Sequence, residues 1–307
     1  MTALAKTILK PRHRIRETGV DRIFNIVNYS ILAVFLVVIL YPLIYVVSAS
    51  LSDGAAVISG RVVLLPVNFS LVAYERIFHY ERIWTGYANS LFYAVVGTLV
   101  NLTMTLIAAY PLSRRDLFGK SIILGLFLFT MFFSGGLIPT YLLVKDLGLR
   151  NTRWALIIPQ ALSIWNLLIA ITFMRTSIPH ELLEASQLDG CNDFQYFLKV
   201  LLPLSTPLIA VLALFYAIGH WNQFFAALLY LTNKDLFPLQ IILRDILISS
   251  QVDMNMMEDL QSMAAREAMR ELLKYALIVV ASVPVLMIYP FAQKYFVKGI
   301  MLGSVKG

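Results

Sequence analysis

Residues 181–207 read ELLEASQLDGCNDFQYFLKVLLPLSTP, a polar run between two long apolar segments. Apolar residues recur in it at roughly helical spacing, which indicates two short amphipathic helices. Asp189 and Gly190 between them are typical of a turn, because Asp can bond its own backbone and Gly adopts a positive φ without steric cost. Pro179 stands where a helix can begin, and Pro203 where one must end or bend. The pattern alone leaves two interpretations open, a solvated connector and a folded element that binds a partner.

The composition is that of an integral membrane protein. Of the 307 residues, 59% are hydrophobic and 14% are charged, and the mean hydropathy is +0.75. Soluble domains usually carry about 25% charged residues. Apolar runs of about 20 residues are long enough to cross a bilayer as helices. We therefore expect an all-α membrane protein, and the single cysteine, Cys191, excludes an intramolecular disulfide.

Six apolar runs predict six transmembrane helices in one domain, residues 24–293. The third is expected to be broken or bent near its outer end, where Gly135, Gly136 and Pro139 interrupt it. A basic cytoplasmic tail, residues 1–23, precedes the domain, and a second cytoplasmic tail, residues 294–307, follows it. The expected spans are about 24–47, 87–112, 121–144, 154–174, 203–231 and 272–293.

The distribution of charge predicts the orientation of the spans. The segments that would be cytoplasmic hold 14 Lys and Arg against seven acids, whereas the rest of the chain, essentially the outer segments, holds 11 against 11, with Lys274 at the start of the last span among them. Short cytoplasmic segments of membrane proteins are enriched in Lys and Arg. Both termini and the loop at 179–203 are therefore expected in the cytoplasm, and the net charge of +7 does not indicate a nucleic-acid partner.

Several kinds of chemistry are excluded by the sequence. It contains no Gly-rich phosphate loop of the Walker type, so any ATP chemistry must belong to a partner. It has no cluster of His, Cys and carboxylates at metal-ligand spacing. The six spans as drawn contain no Asp or Glu, which weighs against a proton-driven carrier. A sodium-driven carrier that uses backbone carbonyls stays open.

His220, Trp221, Asn222 and Gln223 form the most polar patch within a predicted span. One interpretation is hydrogen bonding between packed helices. The other is a pathway for a hydroxyl-rich solute, because sugars bind to flat aromatic faces and to amide groups. Three more residues that would add to such a sugar pathway are Asn101, Trp165 and Asn166.

With its expected cytoplasmic location, the loop at 179–203 resembles the EAA signature of ABC importer permeases. That signature has a Glu-Ala-Ala triplet, then a Gly, and further on an apolar residue followed by Leu-Pro. Ser186 replaces one Ala of the triplet, a small-for-small change. The resemblance implies a coupling helix that docks in a cleft of a separate ATP-binding subunit. The residues that match or flank the signature are Glu184, Ala185, Ser186, Asp189, Gly190, Phe194 and Pro203.

Along nearly its whole length the chain is similar to the MalG-type half of carbohydrate importers, and within it to the LplC/YtcP-like oligosaccharide permeases. The resemblance implies a type I ABC importer permease fold in the bacterial cytoplasmic (inner) membrane, in a transport subunit that is not an enzyme. The chain would hold no cofactor, since ATP and Mg would be bound by partners. The implied partners are a second homologous permease, two ATP-binding subunits, an extracellular or periplasmic solute-binding protein, an oligosaccharide substrate and membrane lipid.

The resemblance also implies two further contacts. A C-terminal tail with Gly303, Ser304 and Gly307 would run along the ATP-binding dimer, although a frayed end is the alternative from the sequence alone. The connection between the fifth and sixth spans, with Arg244, Met254 and Met257, would contact the solute-binding protein. An ion-coupled secondary sugar carrier and a membrane-anchored sensor remain as alternative functions.

Overall fold

The computed structural model describes residues 18–252 and 260–304, and it is all-helical over them, as predicted. Three 3₁₀ turns, at Arg153–Leu156, Ile158–Gln160 and Lys234–Leu236, and a π-helical turn at Phe197–Leu201 interrupt the α-helices. The α-helices are α1 (Gly19–Ser50), α2 (Gly54–Ile58), α3 (Val72–His79), α4 (Arg82–Ser113), α5 (Lys120–Phe132), α6 (Leu137–Asp146), α7 (Ile164–Thr176), α8 (Glu181–Leu188), α9 (Asp193–Tyr196), α10 (Leu202–Leu204), α11 (Thr206–Trp221), α12 (Phe225–Tyr230), α13 (Leu239–Val252) and α14 (Leu260–Ser304).

The apolar helices are consistent with three to six membrane spans. In the described part of the chain, α1, α4 and residues 266–288 of α14 are each long and apolar enough to cross a membrane alone. Three bent pairs raise the number to six if each pair is one span. The pair α5 and α6 is bent by 112° after Phe132, at the Gly135 and Gly136 break that the sequence predicts. The 3₁₀ turns before α7 meet it at 51°, and residues 193–204 meet α11 at 79°.

Two predicted bounds differ from the structure. The apolar run at 203–231 is not one helix, because α11 ends at Trp221 and α12 begins only at Phe225. At its other end, Ser205 separates α11 from the short α10, and Pro207 lies in the first turn of α11, where proline is well tolerated. The last helix, α14, also runs past the predicted end of the sixth span, so residues 294–304 of the predicted tail are helical.

The helices extend beyond the predicted spans, and their ends are polar. The predicted spans as drawn contain no acid, but the helices that extend beyond them do. Acidic side chains lie in these helical extensions at Asp21, Asp146, Asp193, Glu267 and Glu271.

Helix α4 contributes to all three apolar clusters of the fold. Ile83, near its start, packs with the end of α1, with α2, α13 and α14. Tyr93 packs with the first 3₁₀ turns and α12. Leu106 and Ala109, near its end, pack with α7, α11 and the loop after α7. One helix therefore connects the two ends of the molecule.

Buried polar side chains on α4 form hydrogen bonds to backbone carbonyls that lie outside the α-helices. The Nδ2 of Asn89 donates to the carbonyls of Asp235, at 2.7 Å, and Phe237, at 3.1 Å. The Nδ2 of Asn101 donates to the carbonyl of Gln160, at 2.5 Å. Carbonyls outside regular helices need such partners at membrane depth, because lipid supplies none.

Candidate functional site

The loop at residues 179–203, termed the coupling loop after the role that its resemblance to the EAA signature implies, begins with a well-formed helix, α8. The left-handed Gly190, with φ of +80°, lies just beyond its end. The amide of Gly190 donates to the carbonyl of Gln187 at 3.0 Å, and the amide of Cys191 donates to that of Ser186 at 2.9 Å. These two bonds make a Schellman motif, in which glycine takes the left-handed position without a side-chain clash. The turn predicted at Asp189 and Gly190 therefore ends α8 sharply.

The second half of the coupling loop has its own start signal. Asn192 and Gln195 form a capping box, in which Oδ1 of Asn192 accepts from the amide of Gln195 at 2.8 Å. Helix α9 continues into the π-helical turn at Phe197–Leu201 and then into α10, which contains Pro203. The loop is therefore folded from end to end, and this structure does not fit a loose solvated connector.

The coupling loop presents an apolar face outward. Leu188 is 90% exposed and Phe194 is 69% exposed, on either side of the turn at Gly190. Leu182 is also exposed, whereas Leu183 is buried against the chain's own core and is not available to a partner. Glu184 is exposed, with its Oε1 3.1 Å from Nδ1 of His180. This face combines exposed apolar anchors with an exposed carboxylate.

Arg114, in the loop after α4, anchors the coupling loop. Its side chain is only 16% exposed and forms ion pairs with Asp116, at 2.6 Å, and with Asp193, at the start of α9. The Nη1 of Arg114 also donates to the hydroxyl of Tyr110 at 3.1 Å. The ring of Tyr110 lies against those of Tyr196 and Phe197. This cluster, termed the Arg114 clamp, connects the end of α4 to the coupling loop.

The charges of the clamp stabilise one another. The hydrogen bond from Arg114 lowers the pKa of Asp116 to about 2. The same bond is the main reason that the pKa of Arg114 lies above its usual value. Both groups are therefore charged throughout the physiological pH range.

The polar patch at the end of α11 is mostly engaged in packing. His220 is buried, and its Nε2 lies 2.8 Å from Oδ1 of Asn101 on α4. The Nε1 of Trp221 donates to the carbonyl of Ala281 at 3.0 Å, and the Nε2 of Gln223 donates to that of Leu156 at 2.7 Å. These bonds match the interpretation of the patch as hydrogen bonding between helices.

Two adjoining cavities lie beside this patch. The first, of about 390 Å³, is lined by Asn101, Asn166 and His220 among others. The second, of about 400 Å³, is lined by Asn222 and Gln223 among others. Neither lining contains Asp, Glu, Lys or Arg. The residues that line both cavities are Pro159, Gln160 and Gly219.

The remaining predicted site residues lie elsewhere. Trp165 is exposed on α7, and neither it nor Trp221 lines the two cavities. Arg244 is exposed on α13, with its guanidinium 5.7 Å from the centre of the Phe224 ring, which lines the second cavity. Gly303 and Ser304 end α14. Met254, Met257 and Gly307 lie outside the described residues.

Sequence reasoning missed the clamp and the aromatic residues of the cavities. Arg114 and Asp116 were visible only as charges in a tight loop, and nothing in the sequence pairs them with Asp193. Tyr216 and Phe224, which line the cavities, were counted as apolar span residues. Among the described residues, no group of three or more His, Cys, Asp or Glu is placed to hold a metal ion.

Comparison with known proteins identifies the family. Residues 14–302 match the family described as binding-protein-dependent transport system inner membrane component. The chain is 44% identical to the polygalacturonan/rhamnogalacturonan transport system permease protein YtcP of Bacillus subtilis, covering 94% of this chain and 99% of that protein. It is 40% identical to the protein LplC of the same organism, covering 96% of this chain and 99% of that protein.

A solved structure gives the same result for the fold. A chain from the crystal structure of a bacterial ABC transporter involved in the import of the acidic polysaccharide alginate superposes with a TM-score of 0.80. It is 36% identical, and the match covers 91% of this chain and 99% of that chain. The resemblance read from the coupling loop and the expected permease fold are thereby confirmed. The chain belongs to the binding-protein-dependent inner membrane components, the permease subunits of ABC importers.

Proposed function

We propose that this chain is a membrane-spanning subunit of an ATP-driven importer for oligosaccharides, and that its coupling loop docks on an ATP-binding subunit. The observation that carries the proposal is the folded coupling loop, with Leu188 and Phe194 exposed on one face. Exposed apolar side chains on a short, rigid helix suit a hydrophobic groove in a partner. Family membership supports a role for the subunit in an importer, in which other subunits would supply ATP hydrolysis.

The Arg114 clamp would transmit a movement of the coupling loop to α4. A movement of α8 reaches α9 through the Schellman turn at Gly190. From α9 it reaches the end of α4 through the ion pair of Asp193 with Arg114. Because α4 also holds Asn101 beside the cavities, closure of two ATP-binding subunits would shift the walls of the solute path.

The two adjoining cavities support a sugar as the solute. Their linings offer amides at Gln160, Asn166 and Asn222 and aromatic rings at Phe215, Tyr216 and Phe224. Amides donate to and accept from hydroxyl groups, and flat rings cover the apolar faces of sugars. These residues, rather than Trp165 and Trp221, are the candidate sugar contacts.

Within this class, oligosaccharides that contain uronic acids are the first candidates. One relative is named for polygalacturonan and rhamnogalacturonan transport, and the structural neighbour comes from an alginate importer. The cavity linings contain no carboxylate that would repel such a substrate. Arg244, beside the Phe224 ring, would meet the carboxylates at the mouth of the second cavity.

The proposal includes the rest of the assembly. A second permease, two ATP-binding subunits that hold ATP and Mg, and a solute-binding protein would complete an importer in the bacterial cytoplasmic membrane. The basic loop that contains Arg114 and Arg115 supports a cytoplasmic location for the coupling loop, and with it for both termini.

The coupling role is tested by charge reversal at Glu184. In the Glu184→Lys variant, the ATP-binding subunit should fail to copurify, or sugar-stimulated ATPase activity should fall to its unstimulated rate. Glu75→Lys, at an exposed position on α3, is the matched control and should behave as wild type. Normal copurification and normal stimulation in Glu184→Lys would remove the coupling loop from its proposed role.

The substrate is tested with the cognate solute-binding protein. Titration with oligogalacturonides, alginate oligosaccharides and neutral malto-oligosaccharides should give tight binding for an acidic series only. Uptake into liposomes that contain the whole complex should require internal ATP. Uptake driven by an ion gradient in the absence of ATP would instead support a secondary carrier.

A further inference from the structure

We propose that a basic cavity beside the coupling loop binds the phosphate of an anionic membrane lipid. The cavity has a volume of about 650 Å³ and opens between the loop after α4 and the helix α8. Basic residues on its wall are Arg114, Arg115, Lys120 and Arg175. This inference concerns a bound lipid, and it does not depend on which solute is transported.

The charges of this wall are only partly compensated. Arg114 is paired with Asp116 and Asp193, as described above. Arg115 and Arg175 lie close enough to Lys120 for their charges to act on its ammonium group. The two acids of the wall, Glu181 and Glu184, stand on the α8 side, and Glu184 lies beside His180. Lys120 already donates to the carbonyl of Arg114, and Nη2 of Arg175 donates to that of Leu112 at 3.0 Å. Because these carbonyls are neutral, the charges of both groups remain, and together with Arg115 they suit a phosphate group, which accepts charge-assisted hydrogen bonds.

The position of the cavity favours a lipid over a free phosphate ion. The basic wall is formed where α4 ends at Ser113, where α5 begins at Lys120 and where α7 ends at Thr176. Apolar helices end at the level of the lipid headgroups, and basic pockets at cytoplasmic helix ends are known to hold such headgroups.

The neighbouring apolar surface has room for acyl chains. Helix α5 contributes no buried residue in the described part of the chain. Phe118, which precedes it, is 98% exposed, and Ile122 and Phe129 are exposed on α5. Ile122 and Phe129 lie on the side of α5 opposite Lys120, so the exposed apolar group near a phosphate at Lys120 is the ring of Phe118, two residues earlier in the chain.

The experiment is native mass spectrometry of the full chain, copurified with its partner subunits from nanodiscs of phosphatidylglycerol and phosphatidylcholine. Wild type should retain phosphatidylglycerol selectively, and Arg115→Gln should weaken retention about fivefold, the effect of removing one basic residue near a lipid surface. Arg150→Gln, an exposed arginine in the loop after α6, is the matched control and should retain as much lipid as wild type.

A variant that is expected to increase lipid retention distinguishes an effect on binding from damage to the fold. Glu181→Gln removes a carboxylate from the cavity wall and should raise retention of phosphatidylglycerol, which a misfolded protein would not do. Equal retention by wild type and both cavity variants would overturn the proposal. Retention of inorganic phosphate by the wild type, without selective retention of phosphatidylglycerol, would overturn it in favour of a soluble anion. Retention of phosphatidylglycerol only by the chain purified without its ATP-binding subunits would overturn it in favour of an acidic protein surface at this cavity.

Discussion

Gly97 of α4 and His220 of α11 lie so close together that a β-carbon on Gly97 would stand 2.4 Å from Nε2 of His220. The same Nε2 lies 2.8 Å from Oδ1 of Asn101, one helical turn further along α4. The missing side chain at Gly97 thus leaves room for the buried imidazole, and Asn101 holds the ring in that space. The contact joins α4 to α11 beside the first cavity.

Gly97→Ala should destabilise the protein. The added methyl group would push the imidazole away from Asn101, and overpacking of a filled interior costs about 1–3 kcal/mol. A lower midpoint of thermal unfolding, measured on the purified complex, checks this. Gly125→Ala, on α5, where nothing lies within 4 Å of the new β-carbon, should cause no loss. Equal midpoints for wild type and Gly97→Ala would show that the helices separate easily at this point.

Gly190→Ala should loosen the coupling loop. A residue with a β-carbon is strained at a φ of +80°, by about 1 kcal/mol. Reduced copurification of the ATP-binding subunit is the expected readout. Gly190→Asn should recover most of the loss, because Asn tolerates the left-handed region better than Ala. If Ala and Asn behave alike, backbone geometry is not what matters at this position.

Arg114 and Asp193 should be energetically coupled. In a double-mutant cycle with Arg114→Gln and Asp193→Asn, the interaction energy should be about 1 kcal/mol, near the upper end for partly exposed ion pairs. Each single variant should also lower sugar-stimulated ATPase activity, because the pair joins the coupling loop to α4. Arg150→Gln is a control, since Arg150 is exposed in the loop after α6. A coupling energy near zero would contradict the clamp.

The lowered pKa of Asp116 determines how the Arg114 clamp should respond to acid. The hydrogen bond from Arg114 lowers the pKa of Asp116 from 3.8 to about 2. A carboxyl group with a lowered pKa stabilises the folded chain above its unfolded pKa, and this contribution is lost as the pH falls through the folded value.

The difference in thermal midpoint between wild type and Asp116→Asn should therefore be small and constant between about pH 5 and 8. It should shrink only between about pH 4 and 2. The effect is small because Asp116 is largely exposed. A difference that changes near neutral pH would indicate that another group controls this loop.

Gln160→Leu should impair uptake more than assembly. Gln160 lines both cavities, and the loss of one hydrogen bond to a sugar costs about 1 kcal/mol, which corresponds to roughly a fivefold rise in KM. Transport into liposomes over a range of binding-protein concentrations measures it. Thr130→Val, at an exposed position on α5, should leave KM unchanged. An unchanged KM in Gln160→Leu would place the solute path elsewhere.

Local signals in the sequence predicted much of the fold. Long apolar runs marked α1 and α4, and Gly135, Gly136 and Pro139 marked the bend between α5 and α6. The turn at Gly190 followed from a residue type that takes positive φ, as the structure shows. In each of these cases, the residues that determine the structure are neighbours in the chain.

Contacts between distant residues were not predictable in this way. Arg114 and Asp193 are 79 residues apart, and no periodicity pairs them. Trp221 was expected in the sugar pathway because of its chemistry, but its indole bonds to Ala281, 60 residues later. The break between α11 and α12 was missed for a different reason. It falls at Asn222 and Gln223, which were recognised as polar but were interpreted as side chains for packing or for sugar binding rather than as the end of a helix.

The length of α4 has a mechanical consequence. Its 32 residues span about 48 Å at about 1.5 Å per residue. Arg114 follows its last turn, Asn101 stands near its middle and Asn89 holds the opposite loop near its start. If α4 pivots as a stiff rod about the end near Arg114, a tilt of about 5° displaces the far end by about 4 Å. A small rotation at the coupling loop would thus move the start of α4, on the far side of the membrane, by several ångströms. The end of α4 beside the coupling loop would move least.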